Sequence, residues 1–144
     1  VDRSFTSDYG YNATNRDGYI VDLLCPDDAN FTTMRAGADL EAVPMAGVQW
    51  LIDAPQLEQI VIGEDGWPLR MVVPEPRTFA LHKLWVSMRP DRQPLKRPRD
   101  RSHAQLVAYL VSTYLNDKFA AKTMPWLPRE LRALLPELKA LASA

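Results

Sequence analysis

The sequence predicts an α+β domain: a small, antiparallel-leaning sheet followed by three amphipathic helices. Three observations carry this. The first half alternates short β-prone runs with turn residues; beyond Pro76 the apolar spacing changes to 3 and 4; and twelve prolines mark the joints. Strands before helices is the order of segregated α+β proteins. The strand-rich part is expected over residues 1–74 and the helical part over 75–144.

The strands come first. "RSFT" (Arg3–Thr6) suits a short strand. "YIVDLLCP" (Tyr19–Pro26) reads as one continuous strand, stopped by Pro26 and the loop "DDAN". Residues 31–47 read as irregular, broken by Gly37, Pro44 and Gly47. "VQWLIDAP" fits either a short strand or a helical turn. "EQIVIG" and "WPLRMVVP" flank "EDG", so residues 58–74 read as a β-hairpin.

In the first helix Leu81, Leu84, Trp85 and Met88 form an apolar stripe, with Pro76 suited to the first turn and an end near Arg89. A proline-broken basic loop, "RPDRQPLKRPRDR", leads to a second helix from about Arg99, lined by Ala104, Val107, Ala108, Val111 and Leu115. Pro128 opens a third helix carrying Leu131, Leu134, Leu135, Leu138 and Leu141. Four tryptophans, Trp50, Trp67, Trp85 and Trp126, are spread over both halves and can help tie them into a core.

With 47% apolar and 24% charged residues, the 144-residue chain has globular rather than disordered composition. A formal net charge of −1 excludes a global field for nucleic acid or anionic lipid, so any basic site must be local. The lone Cys25 has no internal disulfide partner and reads as a small buried apolar side chain; a reducing cytoplasm is the expected setting. No apolar run is long enough to span a bilayer, and no signal-like start is present. The sequons at Asn12 and Asn30 read as coincidence. The chain starts with Val1 rather than Met and without an initial structural element, which suggests a fragment of a longer protein.

Asp22 interrupts an otherwise apolar strand. A carboxylate there can hold a divalent cation if other carboxylates converge on it; equally it can face solvent from an edge or pair with Arg16. Lys83 lies off the apolar stripe of its helix, on a face with Phe79 and Ser87, where it can reach a phosphate or pair with a carboxylate such as Asp22. Arg89, Arg92, Lys96, Arg97, Arg99 and Arg101 crowd the basic loop, a candidate phosphate or RNA contact or simply a solvated connection. Asp100 can serve as a first-turn acid or reach Lys83. With only His82 and His103, zinc spacing and a nucleophilic triad are both disfavoured, and "GEDG" lacks the lysine of a phosphate loop.

"NRDGYIVDLLCP" together with "VVPEPRTFALHKLWVSMRPDRQPLKRPRDRSHAQLVAYL" resembles a bacterial family of nucleotidyltransferase-fold proteins, related more loosely to the nucleotidyltransferase toxins of abortive-infection systems. The resemblance runs from about Ser4 to Leu138 and is most specific at Pro-x-Pro-Arg, Phe-Ala-Leu-His-Lys-Leu and Lys-Arg-x-Arg-Asp. It implies a partial nucleotidyltransferase fold in which Asp22 is the third metal-binding carboxylate. It further implies that Asp22, Lys83 and Asp100 are catalytic, and that Lys83, Arg97 and Arg99 contact nucleotide or phosphate.

The implied reaction moves NMP from an NTP to an RNA, protein or small-molecule acceptor with Mg²⁺. The family's Gly-Ser turn with Asp-x-Asp is not in this sequence and is expected upstream of Val1, leaving the chain inactive by itself. The alternative is a non-catalytic module of the same fold that binds a partner protein or RNA; a purely structural helical cap is the third reading.

Overall fold

The structure is a computed structural model describing residues 5–8, 12–27, 42–115 and 118–142. Helices and strands are mixed, as an α+β chain requires, and two compact units divide at Gln49/Trp50. The hairpin therefore belongs with the helices rather than with the earlier strands.

In the first unit β1 (Phe5–Asp8), β2 (Asn12–Asn15) and β3 (Ile20–Asp22) form an antiparallel meander. Its second turn is built by Asn15, whose Oδ1 accepts from the N–H groups of Asp17 at 3.0 Å and Tyr19 at 2.8 Å. Gly18 takes φ +79° there, a left-handed conformation that glycine adopts without strain. β4 (Leu24–Pro26) pairs in parallel with β5 (Val43–Met45).

The continuous strand expected over Tyr19–Pro26 is thus two strands in two sheets. Leu23 is the switch point, its carbonyl accepting from Val43 N–H at 2.8 Å. A run of apolar residues carries no marker for a change of pairing partner. Cys25 is buried, as its type suggests, with Sγ 3.6 Å from the Ala42 carbonyl.

α1 (Val48–Asp53) lies across the boundary, resolving "VQWLIDAP" as a helix. The Gln56 side chain finishes it, donating to the carbonyls of Leu51 at 2.9 Å and Ala54 at 2.8 Å. β6 (Gln56–Ile62) and β7 (Pro68–Pro74) form the expected antiparallel hairpin. Gly66 turns it at φ +80°, and Asp65 Oδ1 accepts from Trp67 N–H at 3.1 Å. Arg70 and Glu58 pair across its strands.

The helices follow: α2 (Pro76–Met88), α3 (Arg97–Leu110) with a widened π turn over Val111–Leu115, α4 (Arg129–Ala133) and α5 (Leu135–Ala142). The single third helix expected after Pro128 is broken at Leu134. Pro136 has no N–H to give the Arg132 carbonyl and its ring crowds that position, so the regular helical hydrogen bonding is interrupted there. Leu81, Leu84, Ala104, Ala108, Val111, Met124, Leu131 and Leu138 form one buried core. Ala104 and Ala108 are small enough to let α3 lie close against α2.

Candidate functional site

The start of α2 is set by an acid. Glu75 Oε2 accepts from Thr78 N–H at 2.8 Å and from the Thr78 hydroxyl at 2.9 Å, capping the helix while Pro76 occupies its first turn. Its other oxygen takes Arg77 Nε at 2.5 Å, and both charged side chains are buried. Arg77 Nη1 continues to the Lys118 carbonyl at 3.2 Å. The Pro-Glu-Pro-Arg stretch is thus a fixed anchor for the helix that carries Lys83.

With Leu81 and Leu84 turned inward, Lys83 emerges at the flank of α2 with Nζ 5.6 Å from the Phe79 ring centroid. It meets Asp100, in the first turn of α3: Nζ to Oδ1 is 3.3 Å. Arg92 from the basic loop reaches the other oxygen, Nε to Oδ2 at 2.6 Å. The Asp100 side chain is 0% exposed, whereas Lys83 and Arg92 remain 24% and 23% exposed. Burial pushes the Asp100 carboxyl upward, but the Arg92 hydrogen bond and the Lys83 charge outweigh it and hold the group below its ordinary value. Its place in the first turn of α3 also puts a negative charge where the helix dipole favours one. The trio carries one positive charge in excess, fixed on a buried acid.

The rest of the loop is largely occupied with its own folding. Arg97 donates to the carbonyls of Pro90 at 2.8 Å and Arg92 at 3.1 Å; Arg89 pairs with Asp91 at 2.5 Å and stacks over Trp85; Arg101 pairs with Glu137 at 2.8 Å. Lys96 and Arg99 are exposed and have no ion pair among the described residues. The structure therefore brings Lys83 and Asp100 together, gives Arg97 a loop-bracing position, and leaves Arg99 facing outward. Asp22 is exposed on β3, in the other compact unit. His82 is buried beside Trp85, their ring centroids 5.9 Å apart.

Two features escape sequence reasoning. Arg92 is one of several cations in a run, and no spacing singles it out as the second partner of Asp100. Glu75 and Arg77 flank Pro76, and nothing in their spacing marks them as a buried pair whose acid caps α2. The profile of the nucleotidyltransferase family matches residues 1–126.

The chain belongs to the nucleotidyltransferase family.

No curated protein and no solved structure matches it. The match supports nucleotidyl transfer in general as the reaction class, with an NTP as the substrate that the family implies. Nucleotidyltransferases generally use divalent metals. The described residues do not fit such an ion: no group of three or more His, Cys, Asp or Glu side chains gathers among them, and Asp100 is already neutralised by two cations. No helix among the described residues is long and apolar enough to cross a membrane.

Proposed function

We propose that the full-length protein transfers a nucleoside monophosphate from an NTP to an acceptor hydroxyl, and that Lys83 and Arg92, held by Asp100, receive the NTP phosphates. In this reaction the acceptor oxygen bonds to the α-phosphorus, the α–β phosphoanhydride bond breaks, pyrophosphate leaves, and the hydroxyl proton passes to a base. Negative charge gathers on the phosphate oxygens. Cations fixed in advance stabilise it without reorganising at the moment of reaction. One observation carries the reading: a buried carboxylate has each oxygen on a different cation, while both cations keep an exposed portion. Lys83 supplies a compact charge and Arg92 a planar donor array suited to phosphate oxygens. Asp100 positions both and touches no substrate. The acceptor is an RNA, a protein or a small molecule.

The test measures release of pyrophosphate and transfer of labelled NMP by the full-length protein. Lys83→Met is expected to lower turnover about a hundredfold, the scale of removing one preorganised charge-stabilising group. Asp22→Ala in the same assay decides whether that carboxylate belongs to the reaction. Unchanged NTP affinity and turnover in both Lys83→Met and Arg92→Gln would overturn the phosphate assignment. The second reading, a family member that binds a partner without catalysis, is favoured by the lack of a carboxylate cluster among the described residues. It predicts NTP-independent partner binding and no pyrophosphate release.

A further inference from the structure

The outer face of α3 is built unlike its inner one. Ala104, Ala108 and Val111 turn into the core, as an amphipathic helix requires. The opposite face should then be polar, and only its first part is. Arg99 and Ser102 come first, with Lys96 just ahead of the helix; Leu106, Tyr109 and Leu110 follow at helical spacing, 54%, 49% and 41% exposed. Three large apolar side chains on one solvent face of a short helix form a contiguous patch of the kind that marks a contact surface. Beside them runs a groove of about 300 Å³ lined by Ser102, Gln105, Leu106, Tyr109 and Ala142, between α3 and the end of α5. The Arg101–Glu137 ion pair at 2.8 Å ties α3 to α5 along this flank.

We infer that this face is a docking surface for an amphipathic helix of a partner protein, one with apolar side chains at 3–4 spacing and acidic residues at the end lying over Lys96 and Arg99. The charges argue for this occupant. Most loop cations are spent on Asp91, Asp100, Glu137 and backbone carbonyls, yet Arg99, seven and eleven residues before Leu106 and Leu110 and so on their face of the helix, and Lys96 just ahead of α3 carry no ion pair among the described residues. A cationic end joined to an apolar stretch is the complement of an acidic, apolar helix, and the helix-in-groove mode reads such a partner through anchors at i, i+3, i+4 and i+7. A nucleic acid fits less well. Two cations neutralise little of a phosphate backbone, and of the three patch side chains only Tyr109 offers a ring for a base to stack on, whereas Leu106 and Leu110 suit an apolar partner.

The experiment places a photo-crosslinking side chain at position 106, and separately at 110, in the full-length protein in its own cells, and reads the captured segment by mass spectrometry. The expected product is a protein segment with the stated apolar spacing and flanking Asp or Glu. Arg99→Glu is expected to lower its yield about tenfold, the equivalent of 1.4 kcal/mol. Lys96→Glu supplies an independent charge reversal, and reversing the captured segment's own acids to Lys restores capture by Arg99→Glu. Both side chains are exposed, and an unchanged thermal unfolding curve confirms that each variant is folded. Capture of RNA, of a second copy of this chain, or of a segment without acids overturns the proposal. So does no capture at either position, or a yield indifferent to both charge reversals.

Discussion

Trp126 donates its indole N–H to the Thr78 hydroxyl at 3.0 Å, fastening the segment before α4 to the first turn of α2. The same hydroxyl donates to Glu75 Oε2 at 2.9 Å, so one oxygen links an aromatic anchor to a buried ion pair. Removing either end of this relay is expected to be felt at the other. Thr78→Val and Trp126→Phe, combined in a double-mutant cycle by urea unfolding, should show a coupling of about 1 kcal/mol. Additive effects would mean the bond contributes nothing.

Glu75→Gln keeps the shape of the cap but leaves Arg77 buried without its counter-charge. Stripping one partner from a buried pair costs about 3–5 kcal/mol. Chemical denaturation should register a loss on that scale; a loss below about 1 kcal/mol would show that Arg77 finds water instead.

The acid dependence of stability follows from Asp100. Its folded-state pKa lies below the ordinary 3.8, so its ion pairs stabilise the fold fully above about pH 4 and lose that contribution as the pH falls through the depressed value. Thermal unfolding followed from pH 7 downward should show wild type losing stability on the acid side, while Asp100→Asn, less stable at pH 7, loses less over the same interval. Parallel curves for the two proteins would remove Asp100 as the source.

Arg97→Ala removes two side-chain contacts to the carbonyls of Pro90 and Arg92. Amide exchange over residues 90–97 should quicken several-fold with little change in the helices, since a hydrogen bond of this kind contributes about 1 kcal/mol. Global destabilisation would show that the loop folds as one unit with the core.

Leu84→Ala opens a hole in a fully buried position and should cost about 2–5 kcal/mol. Ile60→Ala on the exposed hairpin face should cost less than about 1 kcal/mol by the same denaturation measurement. Equal costs would place the hairpin residue in a packed environment.

These contrasts track what the residues themselves disclosed. The stripe Leu81, Leu84 and the proline at the head of α2 declare a helix, and Gly66 between β-rich runs declares the hairpin, because local spacing and backbone freedom decide them. The strand "NATN" has no apolar alternation and is held by its neighbours in the meander, so nothing local announces it. The break at Leu23 depends on which strand lies alongside. The site divides in the same way. Lys83 and Asp100 stand out by residue type, and pairing between them is one of the options their spacing leaves open. The choice of Arg92 over its neighbours, and the employment of Arg97 as a brace, are set by the path of a folded loop.

Sealing Asp100 away from water also restricts how the sequence can drift. A neutral side chain at that position would leave two cations facing one another, and loss of either cation would leave the acid half-answered. Positions 83, 92 and 100 should therefore change in concert across related genes or stay fixed together, whereas Lys96, one turn away on the surface, is at liberty to vary unless a binding partner constrains it.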